Sequence, residues 1–405
     1  MYLQGIYPPS FKILTASFDH VFISLLGNRG VAGRGIVIIY MRYNKKDKTK
    51  VEEKSRPATL STDLKTNLDL FSGIMGNSPD FIVRHFTFGK NEALNAALLF
   101  MDGLADKKII NESIIKPLMY DIHLFDKNQL ELRTIEDIEN ILLSVGDVQH
   151  ETAVDTMISR LLYGDTIMLV DGYQEVLIID TKGWQSRSIQ EPPNERVIRG
   201  PREGFTETIR FNTAMLRRKI NNPDLTVEQV IVGQKTHTYV ALVYLKGIVN
   251  PKLVEEVKQR LKRIKTDAIL ESGYIEQFIE DSPLSLFTTV GNTEKPDVAA
   301  AKILEGRVAI LIDGSPMVLT VPMLFVEGFQ SAEDYYSRPF YMSFVRLLRY
   351  LAFIASIISP AYYIVLASYH QELLQTPLLV SIAASAEGTP FPAILEVAIM
   401  GFFFE

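Results

Sequence analysis

The stretch "ALLFMDGLADKKIINESI" at residues 97–114 returns in altered form as "ALVYLKGIVNPKLVEEVK" at residues 241–258. Each version has an apolar run, then a glycine, then a segment whose apolar residues recur at helical spacing. This pattern predicts a strand, a turn and a helix in both places. We therefore expect the chain to contain two copies of one structural unit.

Two further blocks repeat in the same order. "PDFIV" at residues 79–83 matches "PDLTV" at residues 223–227 at an offset of 144, and "GDTIMLVDGYQEVLI" at residues 164–178 matches "GRVAILIDGSPMVLT" at residues 306–320 at an offset of 142. Three matched blocks in one order are typical of an internal repeat. The predicted fold class is α/β, with two repeated subdomains at residues 77–190 and 191–330, followed by the start of an α-helical transmembrane domain.

The third block predicts two strands joined by a tight turn, and the turn begins with Asp171-Gly172 or Asp313-Gly314. Such carboxylates would suit catalysis. Turn chemistry explains them better, because an Asp side chain bonds its own backbone and Gly accepts a positive φ. The helices at residues 107–119 and 251–264 are expected to pack on the faces of the sheets.

The composition excludes several classes of protein. The chain of 405 residues has no cysteine, so it has neither disulfides nor thiolate zinc sites, and its net charge of −6 argues against a nucleic-acid partner. We find no Walker loop, nucleophile elbow or metal motif, and therefore expect no enzyme, no cofactor and no metal. We interpret the six histidines as ordinary surface or core residues: His20, His85, His123, His150, His237 and His370.

The chain begins with two segments that we place outside the folded subdomains. Residues 1–40 contain two apolar runs split by glycines, which are too short to span a membrane and lack dinucleotide-loop spacing. We interpret them as a leader. Residues 41–76 start with "MRYNKKDKTKVEEKSRP", and this density of charge predicts a disordered tail.

The stretch "EPPNERVIRGPREGF" at residues 191–205 joins the two copies. It contains three glutamates and three arginines: Glu191, Glu195, Glu203, Arg196, Arg199 and Arg202. One interpretation is a network of bidentate ion pairs at the interface between copies or between subunits; the other is a solvated linker. The helix that follows ends in Arg217, Arg218 and Lys219, which we attribute to the helix dipole.

A candidate membrane helix lies at residues 350–369, "YLAFIASIISPAYYIVLASY", which carry no charge. Twenty residues at about 1.5 Å each span roughly 30 Å, the thickness of the hydrocarbon core. We predict a kink at Pro360 and membrane anchoring by Arg346 and Arg349, after an amphipathic interfacial segment that starts at residue 331. No Lys or Arg follows Arg349 in the sequence, so the positive-inside rule places both copies in the cytoplasm.

Residues 377–405 are apolar but interrupted by Glu387, Pro390, Pro392 and Glu396. On one continuous helix the two glutamates, nine residues apart, would lie on opposite faces. A break at the prolines lets both face one polar path, where acidic side chains attract cations. We therefore predict two half-helices that line an ion pathway; an interfacial loop outside the membrane is the alternative.

Three stretches carry a family resemblance: "EPPNERVIRGPREGFTETIRFNTAMLRRKI" at residues 191–220, "DGSPMVLTVPMLFVEGFQSAEDYY" at residues 313–336, and "EGTPFPAILE" at residues 387–396. They resemble the A subunit of GerA-type spore germinant receptors, and the resemblance runs from about residue 77 to residue 405. It implies a multi-pass protein of the spore inner membrane, with the two copies facing the core.

The resemblance also implies partners and a function. Family A subunits work with a transporter-like B subunit and a lipoprotein C subunit, contact membrane lipid, and oligomerise into a channel that releases monovalent cations when nutrient binds. A non-conducting scaffold or signal-transducing subunit remains an alternative. The A-subunit-like protein of the spoVA operon is another, although the linker sequence favours the receptor subunit.

Overall fold

The computed structural model describes residues 60–76, 78–89, 94–120, 135–141, 146–183, 192, 194–281, 285, 287–386 and 391–404. The predicted leader at residues 1–40 and the charged stretch at residues 41–59 lie outside the described residues. The described chain divides into two compact units, one that ends at Phe325 and one that begins at Val326.

The first unit contains two five-stranded sheets with the same topology. The first sheet has the order β1-β2-β4-β5-β3, and the second has the order β6-β7-β9-β10-β8. The strands of the two sheets are β1 Phe81–Phe88, β2 Leu94–Met101, β3 Val148–Glu151, β4 Thr166–Val170, β5 Val176–Ile179, β6 Leu225–Val232, β7 Thr238–Leu245, β8 Gly291–Thr293, β9 Val308–Ile312 and β10 Val318–Val321. The identical order confirms the predicted repeat.

Both sheets are antiparallel throughout, which corrects the predicted α/β class. The reason lies in the connections. Short links join β1 to β2 and β4 to β5, whereas parallel neighbours would need long crossovers. Each copy is therefore an antiparallel sheet covered by helices rather than a parallel α/β unit.

Helices cover both faces of each sheet. In the first copy α2 and α3 pack on one face and α1 and α4 on the other, and in the second copy α6 and α7 lie opposite α5 and α8. The helices are α1 Leu64–Met75, α2 Lys107–Ile109 (continuing through a π-helical turn, Ile110–Ile115, into Lys116–Met119), α3 Ile135–Ile141, α4 Val154–Tyr163, α5 Ile209–Lys219, α6 Pro251–Arg263, α7 Ser272–Ile279 and α8 Pro296–Leu304. Burial on both faces explains the continuous apolar run of β2.

Helix α1 corrects the prediction that residues 41–76 form a disordered tail. Residues 60–71, "LSTDLKTNLDLF", correspond to residues 205–216, "FTETIRFNTAML", in the second copy. The buried side chains of Leu60 and Phe71 match those of Phe205 and Leu216. The repeat therefore begins at residue 60, and this similarity, at an offset of 145, was the signal in the sequence.

A buried asparagine ties the chain ahead of α1 and of α5 in the same way. The Asn67 amide accepts a hydrogen bond from the Ser61 N–H at 2.9 Å and donates one to the Ser61 carbonyl at 2.7 Å. The Asn212 amide makes the same two bonds with Thr206, at 2.8 Å and 2.5 Å. Each amide satisfies two backbone groups that the approach to the helix would otherwise leave unpaired.

The two Asp-Gly turns have a wider role than the predicted one. Gly172 does adopt a positive φ, of 88°. The Asp171 carboxylate, however, accepts a hydrogen bond from the N–H of Leu64 at 3.2 Å, and Asp313 does the same for Ile209 at 3.1 Å. Each aspartate thus binds the first N–H of α1 or α5, which has no partner inside its own helix. The turns hold distant helices in addition to reversing the chain.

The second unit is helical. A 3₁₀ turn, Phe325–Phe329, leads into this unit. Its further elements are the 3₁₀ turn Ala332–Tyr335, α9 Pro339–Ile364, the 3₁₀ turn Gln371–Leu373, α10 Thr376–Ala386 and α11 Ala393–Phe404. Helix α9 continues as a π-helical turn, Val365–Tyr369. Within the described part of the chain one helix, the 31 residues Pro339–Tyr369, is long and apolar enough to cross a membrane. It begins well before the predicted residue 350, with Pro339 in its first turn.

Replacing Asn212 by Ala should lower the free energy of unfolding, because it leaves the N–H and C=O of the half-buried Thr206 without their partner. A fully buried group left in this way costs about 1–3 kcal/mol, which is the upper bound here. Asn67→Ala in the first copy should have a similar effect, and Asn221→Ala, at an exposed position, should have little. Thermal unfolding of the purified chain measures all three. Equal stability of Asn212→Ala and the parent would contradict the assignment.

Candidate functional site

The two copies meet on one face of α5. Arg210, Ala214 and Arg217 follow one another at helical spacing and lie toward the first copy. The Ala214 side chain belongs to the core that α1 and α4 cover in that copy. The neighbouring side chains of Met215 and Leu216 pack into the second copy's own core. Helix α5 is therefore shared by both copies.

A buried ion pair forms the centre of this interface. Arg217 is 1% exposed, and its Nε and Nη2 donate to both carboxylate oxygens of Asp80, at 2.7 Å and 3.1 Å. Nη2 also donates to the Ser78 hydroxyl at 3.0 Å, and that hydroxyl accepts from the N–H of Val227 on β6 at 3.3 Å. The bidentate geometry fixes both distance and orientation.

This position corrects the interpretation of Arg217 as a residue that serves the helix dipole. Arg218 and Lys219 do lie at the exposed end of α5, where they reach Glu203 at 3.5 Å and 3.0 Å. Arg217 instead binds Asp80, which stands 137 positions earlier in the chain. Nothing in the local sequence distinguishes the three cations, so sequence reasoning missed the pair.

A second ion-pair cluster borders the same face of α5. Arg210 Nε lies 3.0 Å from one oxygen of Asp102, and Lys107 Nζ lies 2.8 Å from the other. The adjacent Gly103 has a φ of 84°, and a Cβ there would meet the Ala214 Cβ at 3.0 Å. Gly103, in the repeated stretch at residues 97–114, thus permits the close approach of the two copies.

The two described linker glutamates, Glu195 and Glu203, bind groups of the second copy. Glu195 accepts hydrogen bonds from the Thr293 hydroxyl at 2.7 Å and from the N–H of Glu294 at 3.2 Å, and burial raises its pKa. Glu203 binds the end of α5 instead, as described above. These contacts hold the linker against the second copy.

The linker arginines lie on the surface. Arg196, Arg199 and Arg202 are exposed, and within the described residues Arg196 and Arg199 form no ion pair. Glu191 lies outside the described residues. A role for these arginines at an interface between subunits stays a prediction. A contact that sequence reasoning missed is made by Lys295, whose buried Nζ donates to the Pro201 carbonyl at 2.8 Å.

A polar cavity of about 450 Å³ in the first copy is lined by Glu136, Glu139, His150 and Glu175. His150 Nε2 lies 2.8 Å from Glu139 on α3, and Nδ1 lies 3.2 Å from Glu175 in the β4–β5 turn. The hydrogen bond to Glu139 raises the pKa of His150. No group of three or more potential ligands in the described part of the chain is arranged to hold a metal ion.

Asp334 binds two arginines in the first half of α9. Both predicted membrane anchors, Arg346 and Arg349, point at this carboxylate, with Nε–Oδ2 at 3.5 Å for Arg346 and Nη1–Oδ2 at 2.7 Å for Arg349. Pro360 lies inside α9 as expected. Sequence reasoning missed Asp334, although it belongs to the quoted stretch "SAEDYY".

The interrupted apolar segment contains two separate helices, α10 and α11. Glu396 is half-buried in the first turn of α11, where its N–H donates to the Pro392 carbonyl at 3.0 Å. Glu387 and Pro390 lie outside the described residues. The role of the two glutamates and two prolines in an ion pathway stays a prediction.

Asp80→Ala should lower the free energy of unfolding by about 3–5 kcal/mol, because it leaves the Arg217 charge buried without its partner. The double variant Asp80→Ala, Arg217→Met should recover much of this loss. Asp267→Ala removes an exposed partner of Lys235 and should cost at most about 1 kcal/mol. Chemical denaturation of the purified chain tests the series. If Asp80→Ala is as stable as the Asp267→Ala control, the Asp80–Arg217 pair does not hold the two copies together.

The raised pKa of His150 predicts a pH-dependent contribution to stability. Because the folded-state pKa exceeds the unfolded value of about 6.5, the contribution is full below that pH and is lost as the pH rises through the folded-state pKa. His150→Gln should therefore flatten the change in melting temperature between about pH 6 and pH 8.5. His85→Gln, at an exposed position, is the control. An unchanged pH profile in His150→Gln would remove the histidine from this role.

Comparison with known proteins assigns the chain to a family. Residues 69–405 match the family described as Bacillus/Clostridium GerA spore germination protein. Spore germination protein KA of Bacillus subtilis (strain 168) is 44% identical over 354 residues, which cover 87% of this chain and 64% of that protein. Spore germination protein B1 of the same organism is 39% identical over 349 residues, 85% of this chain and 70% of that protein. The chain thus spans about two thirds of the length of these relatives.

A solved structure is also similar. The N-terminal domain of the A subunit of the Bacillus megaterium spore germinant receptor GerK3 matches with a TM-score of 0.52 and 38% identity, over 67% of this chain and 99% of that domain. The resemblance read from the sequence is confirmed. The chain belongs to the GerA family of Bacillus and Clostridium spore germination proteins.

Proposed function

We propose that the chain is the A subunit of a nutrient germinant receptor in the spore inner membrane and takes part in spore germination. The observation that carries this proposal is the likeness of 67% of this chain to the N-terminal domain of a germinant-receptor A subunit, at 38% identity and over 99% of that domain. The family match, which extends through the helical unit, supports the same function.

The comparison of relatives favours a receptor subunit over the spoVA-operon homologue. Stage V sporulation protein AF of Bacillus subtilis (strain 168) is 33% identical over 70% of this chain, against 44% over 87% for spore germination protein KA. The linker stretch at residues 191–205 led to the same preference from the sequence. We therefore propose the receptor role.

A membrane location is supported by the surface of α9. Its large apolar side chains, such as Leu351, Ile357 and Ile358, are exposed around the helix. An apolar surface of this extent is unfavourable in water and suits contact with lipid. We propose a multi-pass protein whose two copies lie on the cytoplasmic, core-facing side.

For the mechanism, we propose that copies of the chain assemble into a channel that releases monovalent cations when nutrient binds. The transporter-like B subunit and the lipoprotein C subunit are the proposed partners. The support is chemical: Glu387 and Glu396 flank a break in an otherwise apolar segment, and carboxylates persist in such surroundings where they face water or protein. A non-conducting scaffold or signal-transducing subunit is the competing hypothesis.

Cation flux through the full-length receptor in liposomes separates the two hypotheses. Glu387→Gln and Glu396→Gln keep the shape of the side chains and remove their charge, so each should lower cation flux severalfold. Glu396→Lys should abolish the flux, because it places a positive charge in the path.

Glu372→Gln provides the matched control, since this carboxylate is exposed and lies outside the interrupted segment. Its flux should equal that of the parent. Unchanged flux in the Glu387→Gln, Glu396→Gln double variant at normal abundance would remove both residues from the pathway. Absence of flux from the parent receptor, alone and with its partners, would favour the scaffold.

A further inference from the structure

The segment at residues 326–336, here called the collar, is bound along one face of the first half of α9. The Asp334 carboxylate contacts Arg346 and Arg349. The Phe329 ring packs on Tyr350 and Phe353, with ring centroids 5.4 Å and 4.9 Å apart. Positions 346, 349, 350 and 353 share one face of a helix, so the collar follows α9 for about two turns.

Asp334 is the centre of these contacts. Its side chain is 0% exposed and accepts two hydrogen bonds from Arg349, at 2.7 Å and 2.9 Å. It also accepts one from the N–H of Ser331 at 3.2 Å, which shapes the turn that carries it. Arg349 in addition donates to the Phe329 carbonyl at 3.0 Å. The Arg349 guanidinium group thus binds both a side chain and a backbone carbonyl of the collar.

The length of the helix shows where this cluster stands relative to a membrane. Pro339–Tyr369 has 31 residues, or about 47 Å of helix at about 1.5 Å per residue, which exceeds a hydrocarbon core of roughly 30 Å. Charged groups are costly inside that core. The last charged residue of α9 is Arg349, and the uncharged stretch at residues 350–369 has the length that the core requires. The boundary therefore falls near Tyr350.

We propose that the collar is a lipid-interface stop that sets the depth at which α9 enters the bilayer. This inference rests on the proposed membrane function of the helix. Free arginines at a membrane boundary reach toward headgroups on flexible side chains and let a helix tilt or slide. Arg349 is instead held by two bonds to Asp334. The rings of Phe329 and Tyr350 then lie at headgroup level, where aromatic side chains are favoured.

The absence of cysteine from these 405 residues makes the depth measurable, because one introduced cysteine is then the single reactive thiol of the 405-residue chain. We would place it at Ser343, Ala352 or Ser356, all exposed positions of α9. A membrane-impermeant maleimide is then applied to the 405-residue chain in phospholipid vesicles. Labelling is expected at Ser343→Cys, and protection at Ala352→Cys and Ser356→Cys.

Asp334→Ala should raise labelling of Ala352→Cys severalfold, because the two arginines are released to the headgroups and the helix loses its fixed depth. Arg349→Lys keeps the charge but loses the bidentate geometry, and should raise labelling less. Glu372→Ala, which removes an exposed carboxylate of the same unit, should change nothing. If Asp334→Ala does not accumulate in the membrane, the labelling of Ala352→Cys in the Asp334→Asn and Arg349→Lys variants tests whether the collar sets the depth of α9.

The two proposals fail in different ways. Free labelling of Ser356→Cys in the otherwise unaltered protein would show that α9 does not cross the bilayer, and would overturn the membrane function with the collar. Protection of Ser356→Cys, with equal labelling of Ala352→Cys in the parent and in every Asp334 and Arg349 variant, would overturn the collar alone.

Discussion

Arg217 has almost no contact with solvent, and its guanidinium group reaches both carboxylate oxygens of Asp80 in the other copy. A charge buried this deeply needs a hydrogen-bonded partner at a fixed distance, because an unpaired one is strongly destabilising. The pair therefore constrains how the two sheets meet. Ser78 extends the constraint to the edge strand β6 through Val227, and α5 contributes side chains to both cores. The two copies consequently form one compact unit.

The two copies have corresponding backbone hydrogen bonds and differ in the side chains that meet at the interface. The N–H of Asp102 donates to the Asp80 carbonyl at 2.7 Å, and the N–H of Lys246 donates to the Asp224 carbonyl at 3.0 Å, in corresponding places. The donor residue is acidic in the first copy, where it is Asp102, and basic in the second copy, where it is Lys246. Only Asp102 can bind Arg210, so this carboxylate serves the contact between copies. The repeat supplied the framework, and single side chains made it asymmetric.

The helical unit uses the same device in other surroundings. Asp334, like Asp80, is a buried carboxylate that binds an arginine through both oxygens. Bidentate pairs define orientation better than single contacts do. In the first unit the device fixes one sheet against another. Beside α9 it fixes a short turn against a long apolar helix, which would otherwise have few polar contacts to define its neighbours.

Local patterns in the sequence determined the two copies, the long apolar helix and the break before Glu396, because strand alternation, helical spacing and the absence of charge are properties of neighbouring residues. Helix α1 was missed because the charged residues that precede it indicate disorder, and its N-terminus is bound by Asp171, 107 positions away. The partners of Arg217, Glu195 and Arg349 were missed as well. A sequence shows which side chains can pair, but only tertiary packing brings two of them to one buried place, and the cost of burying a charge alone then makes the pairing specific.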